Sequence, residues 1–200
     1  MARDMTKGRI LPQMTAFAIP LILGNLFQIL YNATDSIIVG KFVGDDALAA
    51  VGTAGPIMNM AILFISGMCM GAGILMSTLY GAKDMKNLEK QISTTLIGGL
   101  VFSLLIAFLM IVFAVPILRL INSPEEIIGS AAIYLRVVFL GLIFTFVYNF
   151  LANTLRALGD SRTPLYFLVI SAFLNVAGDL LFVVTLKLGV MGSAVATVLS

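Results

Sequence analysis

Two aspartates, Asp35 and Asp179, sit inside apolar runs long enough to cross a bilayer. A carboxylate at membrane depth costs about 2.5–3.5 kcal/mol on insertion scales, so each is expected to face a bundle interior or a water-filled cavity. Asp35 closes the stretch Asn25-Leu26-Phe27-Gln28-Ile29-Leu30-Tyr31-Asn32-Ala33-Thr34-Asp35. At a helical step of about 100°, Asn25, Gln28, Asn32 and Asp35 fall in a stripe about 80° wide. Ser171, Asn175 and Asp179 recur at i, i+4 and i+8 and form a second polar face. A carboxylate with an amide oxygen one turn away, joined by hydroxyls from a neighbouring helix, supplies hard oxygen ligands for a small alkali cation. Against an apolar wall the same carboxylate would hold a proton. Either chemistry couples ion movement to a change of shape; the alternative is that each aspartate pairs with a polar neighbour only to hold the bundle together.

The two depths agree. The first apolar run exits near Lys41 and the fifth near Lys187, which puts both carboxylates roughly 9–12 Å below the outer ends of their helices. They can therefore meet in one cavity open toward the outer half of the membrane.

Composition narrows the class. The chain is 60% hydrophobic and only 11% charged, with a mean hydropathy of +1.08, so it reads as an all-α polytopic membrane protein. Its net charge of +2 comes from basic residues scattered through short loops, which excludes a nucleic-acid patch. It has no histidine and one cysteine, so a disulfide framework, a Cys/His zinc cluster and a histidine proton relay are all excluded. Cys69 lies in an apolar run and reads as a small hydrophobe.

Apolar runs cover about 12–40, 47–79, 92–118, 130–154 and 164–186, and a sixth opens at 189 and reaches 200 incomplete. Each of the first five exceeds the ~20 residues needed to span the hydrocarbon. The half-length sixth predicts that residues 1–200 are the N-terminal transmembrane lobe of a longer protein. The first run is of full span length behind Arg3, Lys7 and Arg9, so it reads as a retained helix and not as a cleaved leader. With the N-terminus cytoplasmic, Arg3, Lys7, Arg9, Lys83, Lys86, Lys90, Arg156 and Arg162 lie inside, against Lys41, Arg119, Arg136 and Lys187 outside. That imbalance predicts this orientation.

Other polar residues have structural readings. Arg136 lies near the outer interface and is expected to snorkel; Asn149 and Asn153 share a face and read as helix-packing hydrogen bonds. Pro20 and Pro56 predict kinks in the first and second helices. The second helix carries Met58, Met60, Met68, Met70 and Met76, which read as packing or lipid contact. Its Gly67, Gly71 and Gly73, with Ser66 and Ser77, read as a surface that lets another helix approach closely.

Five pieces in fixed order carry a resemblance: AIPLILGNLFQILYNATDSIIVGKFVG at 18–44, ALAAVG at 47–52, YGAKD at 80–84, LRALGDSRTP at 155–164 and NVAGD at 175–179. Together they resemble the multidrug and toxic compound extrusion (MATE) family of secondary transporters over the whole chain. The resemblance implies two six-helix bundles around a V-shaped cavity, with this chain as the first bundle and its sixth helix truncated. It implies a Na⁺- or H⁺-coupled antiporter exporting organic cations, drugs or other xenobiotics, without a cofactor. The cation site would be Asp35, Asn175, Asp179 and Thr197, with Na⁺ the metal to consider there. Gln28, Asn32 and Tyr134 would line the cavity, and Pro20 would be the hinge of the first helix. The expected partners are a small organic substrate, membrane lipid and the missing C-terminal lobe, in a multi-pass protein of the plasma (inner) membrane.

Three rivals remain. A lipid-linked oligosaccharide flippase of the same superfamily tends to carry more basic residues in its cavity, where this chain offers only Arg136. An intramembrane aspartyl protease would use two membrane aspartates and a G-x-G-D signature, but Val176 stands where the first glycine belongs, and Thr34 rather than Tyr precedes Asp35. A non-transporting scaffold predicts that Asp35 and Asp179 tolerate replacement.

Overall fold

The computed structural model describes residues 10–200; Arg3, Lys7 and Arg9, on which part of the predicted orientation rests, lie outside them. Among the described residues every element is helical: α1 (Ile10–Phe42), α2 (Asp45–Gly81), α3 (Met85–Leu120), α4 (Glu125–Leu140), α5 (Leu142–Ala157), α6 (Arg162–Asp179) with a π-wound continuation Leu180–Thr185, and α7 (Val190–Leu199). α1, α2, α3 and α6 with its continuation are each long and apolar enough to cross a membrane, and α4 and α5 reach that length and apolarity only when taken together across a bend. α1 to α3 run 33, 37 and 36 residues, and at 1.5 Å per residue they overshoot a ~30 Å hydrocarbon layer.

Helix ends follow local chemistry. Asp45 and Asp46 occupy the first turn of α2, and Glu125 and Glu126 that of α4, where carboxylates oppose the positive end of the helix dipole. Asp84 caps α3 by accepting from the Asn87 backbone N–H at 3.2 Å. α3 therefore starts earlier than its apolar run, and Lys86, Glu89 and Lys90 belong to the helix. Pro20 and Pro56 lie inside α1 and α2 without interrupting either helix.

The fourth run departs from the expected single helix. It breaks at Gly141 into α4 and α5, bent by 46°. The Gly141 N–H reaches the carbonyls of both Val137 and Val138, so the helix tightens at that point. α7 fills the bend: a Cβ on Gly141 would fall 2.5 Å from Val198 Cγ2. The fifth run also departs, because its α-winding stops at Asp179. Beyond it the Leu186 N–H reaches back to the Leu181 carbonyl at 2.9 Å, a π-type spacing.

α2 packs against α3, α4 and α5, α1 lies mainly along α6, and α7 sits between α4 and α6. The core combines small residues that let helices approach (Ala50, Ala54, Ala131) with Ile65, Leu135, Phe139 and Phe146 filling the spaces. Ser66 donates across to Asn149 Oδ1 at 3.1 Å, an interhelical hydrogen bond of a kind that averages about 0.6 kcal/mol in membrane bundles. Gly73 is buried with Asn153 3.5 Å from where its Cβ would stand, while Gly67 and Gly71 face open space. Met76 is buried and accepts from Thr154 Oγ1 at 3.6 Å, whereas Met60 and Met70 point outward. Exposed Leu63, Phe64, Ile97, Phe108 and Phe173 give the outside its apolar surface.

Two local devices hold α6 and α7. Before α6, Asp160 Oδ1 accepts from the backbone N–H groups of Arg162 and Thr163, and Oδ2 accepts from Thr163 Oγ1 at 2.8 Å. Burial alone would push this carboxyl up; the Thr163 and Arg162 hydrogen bonds outweigh it and hold Asp160 below the usual aspartate range. Replacing it by alanine is expected to cost about 1 kcal/mol at pH 7. Because the folded value is depressed, the gap between wild type and Asp160→Ala should close as pH falls below about 4, read from thermal unfolding midpoints. At the other end Gly192 meets the π segment, where a Cβ would stand 2.9 Å from the Phe182 carbonyl oxygen. Gly192→Ala should therefore lower stability by about 1–3 kcal/mol, while Gly67→Ala, at an exposed position with open space, should not.

Candidate functional site

α1, α4, α6 and α7 converge on the two membrane carboxylates. Asp179 is 0% exposed, Asn175 1% and Asp35 7%. Asn175 and Asp179 are one turn apart on α6, so helix geometry alone places both on one face. α1 lies along that face and brings in Asp35. Asp35 and Asp179 lie close enough for their carboxyl groups to interact, and a hydrogen bond between them would require a proton on one of the two.

Donors are unevenly distributed. Ser193 of α7 is fully buried and its hydroxyl donates to Asp35 Oδ1 at 2.7 Å. No donor reaches either oxygen of Asp179, and the Asn175 side-chain amide has no partner on its nitrogen or its oxygen. Unpaired buried polar atoms of this kind cost several kcal/mol unless something satisfies them. A small cation would be met by the Asp179 oxygens, the Asn175 oxygen and the Asp35 carboxylate, all hard oxygen donors. A proton would be met by the carboxyl pair. Among the described residues no group of three or more Asp, Glu, Cys or His side chains forms a multivalent-metal cluster.

Tyr134 is buried on α4, within electrostatic reach of both carboxylates. Thr197 lies one turn beyond Ser193 on the same face of α7 and is half-buried. Gln28 and Asn32 are exposed, so the polar stripe of α1 divides: its Asp35 end is enclosed and its amide end is open. Pro20 is buried within α1, well before this cluster. Arg136 stays at an exposed position, its Nε donating to the Ile111 carbonyl at 3.4 Å. One to two turns beyond the carboxylates, toward the C-terminal ends of their helices, a surface groove is lined by Phe42, Val43, Val183, Val184, Lys187 and Gly189.

Two members of the cluster escape a reading by stripes. Tyr31 is half-buried and falls within electrostatic reach of Asp35 and Asp179; its signal was its place one turn before Asp35. Ser193 had a similar signal, one turn before Thr197, but serine is common wherever membrane helices pack closely.

The MatE family model matches residues 20–181. The chain is 35% identical over its full length to the probable multidrug resistance protein YpnP of Bacillus subtilis (strain 168), covering 45% of that protein. It is 26% identical to the multidrug export protein MepA of Staphylococcus saprophyticus, covering 97% of this chain and 43% of that one. A crystal structure of a MATE protein in complex with MaD5 superimposes with a TM-score of 0.91 at 27% identity, over 100% of this chain and 46% of the other. The chain thus spans about half the length of the relatives it matches, as a multi-pass helical bundle forming one part of a twelve-helix fold. With most of its length inside the family model, this chain belongs to the MatE family of membrane transporters.

Proposed function

We propose that this chain is the N-terminal lobe of a cation-coupled antiporter of the plasma membrane, exporting organic cations, drugs or other xenobiotics against an inward flow of Na⁺ or H⁺. The observation that carries the reading is the buried trio Asp35, Asn175 and Asp179, in which Asp179 and Asn175 keep all their side-chain polar atoms unpaired. An arrangement that is costly when empty and relieved by one positive charge is what ion coupling requires. Thr197 joins the set from α7 as the ion seats. Tyr134 walls the site, Gln28 and Asn32 line the substrate cavity, and Pro20 gives α1 a place to bend as the charge enters or leaves. The N-terminus is cytoplasmic, so the carboxylates lie in the outer half of the bilayer, where the incoming ion arrives.

Relatives named as a probable multidrug resistance protein and a multidrug export protein support the substrate class. The lipid-linked oligosaccharide flippase alternative needs basic side chains in the cavity. Arg136, its one candidate, sits exposed on α4 and donates to a backbone carbonyl, which weighs for the antiporter. Membership of a transporter family removes the protease reading.

The test is efflux of ethidium from vesicles carrying the intact transporter, driven separately by a Na⁺ gradient and by a pH gradient. One of the two should drive export, and Asp179→Asn should cut the driven rate at least tenfold (a factor of ten being ~1.4 kcal/mol) while the protein still folds and binds ethidium. Full driven export by Asp179→Asn would sink the mechanism.

A further inference from the structure

Ser193 stands apart from the polar residues that a helical stripe could reveal. It is fully buried, it comes from the short α7, and it is joined to a residue 158 positions earlier in the chain by a 2.7 Å hydrogen bond. We infer that Ser193 is a positioning residue of the cation site: its hydroxyl fixes the Asp35 carboxylate in the orientation from which it and Asp179 grip the coupling ion. This deepens the antiporter reading and rests on it.

The geometry supplies the reasons. Among the described residues Ser193 supplies the hydroxyl donor to the Asp35 carboxylate, and it takes one oxygen, Oδ1. A serine hydroxyl has one proton to donate and two lone pairs to offer. With its proton committed to Asp35, its lone pairs are free to face a cation. Oδ2 of Asp35 is left for the ion or for Asp179. A carboxylate held this way loses less freedom when an ion arrives, so preorganisation appears as affinity.

The position of Ser193 is itself determined closely. The preceding residue, Gly192, has the Phe182 carbonyl so near that a Cβ would stand 2.9 Å from it. The same carbonyl accepts from the Leu188 N–H at 3.0 Å across the turn into α7. On α6, a Cβ on Gly178 would stand 3.0 Å from Ala196 Cβ. α7 is thus seated against α6 on either side of Ser193, by Gly192 before it and Ala196 after it. The hydroxyl consequently ties Asp35 of α1 to a surface that α6 and α7 build together. Asn175 and Asp179 belong to the same surface, so one hydrogen bond sets the relation between the two carboxylates.

The experiment uses the intact transporter in vesicles, with ethidium as exported dye. Driven export is measured against external Na⁺ concentration and, in a separate series, against external pH. Ser193→Ala should raise the half-saturating concentration of the driving ion about tenfold, equivalent to ~1.4 kcal/mol. The KM for ethidium and the rate at saturating ion should stay within about twofold of wild type, because neither reports affinity for the ion. Ser193→Thr, which keeps the hydroxyl, should return the ion dependence toward wild type. Ser193→Cys, of similar size but with a weak donor, should fall between and gives the reading independently if the threonine methyl is not accommodated. An unchanged or tighter ion dependence in both Ser193→Ala and Ser193→Cys overturns the positioning role while leaving the antiporter reading intact, provided Asp179→Asn still abolishes driven export. A parallel loss in ethidium KM, saturated rate and thermal stability overturns it in favour of simple packing. If Asp179→Asn retains driven export, the antiporter reading falls and the role of Ser193 falls with it.

Discussion

The rest of this bundle is arranged around a carboxyl group with nowhere to place its charge. Asp179 is completely enclosed, and neither of its oxygens has a donor. In an apolar interior, isolated ionised carboxylates are so unfavourable that they are neutralised, paired or matched to a cation. Every close neighbour can be understood from that constraint. Asn175 stands one turn away with its amide unspent, Asp35 approaches from α1, and the Ser193 hydroxyl is directed to Asp35. The arrangement leaves a deficit of positive charge at a single point, and under the antiporter reading that deficit is where a Na⁺ ion or a proton would act.

Bringing four helices to that point requires departures from regular winding. α7 has only 10 residues, so its seat comes from its neighbours. The bend at Gly141 wraps α4 and α5 around Val198, which holds the far end of α7. The π segment begins at Leu180, the residue after Asp179, and it releases the Phe182 carbonyl to receive Leu188 and to abut Gly192. π-winding is rare and is frequently found at functional sites. Here it adjusts the exit of α6 so that α7 can present Ser193 without displacing Asp179.

What could be read from the sequence was whatever depends on one helix at a time. Asn175 and Asp179 share a face because of helical periodicity, and no tertiary fact is needed to say so. The equal depths of Asp35 and Asp179 follow from counting residues to the flanking lysines, and the structure places them face to face. The partnership of Ser193 was hidden for the opposite reason: it depends on how α7 is seated on α6, and a lone serine carries no sign of that. The break at Gly141 was hidden because glycine is ordinary in membrane helices; what makes this one a corner is Val198 packing into it. The exposure of Gln28 and Asn32 was also beyond reach, since their angular position matches that of Asp35 and only the neighbouring helices separate them.

Those exposed amides lie within an otherwise apolar surface. Around them α1 presents Ile22, Leu26, Ile29 and Leu30 to the outside, a surface suited to lipid. Asn25, Gln28 and Asn32 are exposed on the same helix, and lipid has no hydrogen-bonding partner to offer an amide. The face they occupy is therefore matched to water or to protein. In relatives of about twice this length, further chain exists to complete such a face. Under the antiporter reading, α1 then has two distinct surfaces: an enclosed end, where Asp35 meets the ion site, and an open polar stripe, where the substrate cavity begins. A single helix that touches both sites can transmit a change at one to the other, and Pro20 lies further along the same rod. The economy of the arrangement is that coupling would need no long relay through the core: ion and substrate would act on two stretches of one helix, less than one turn apart between Asn32 and Asp35.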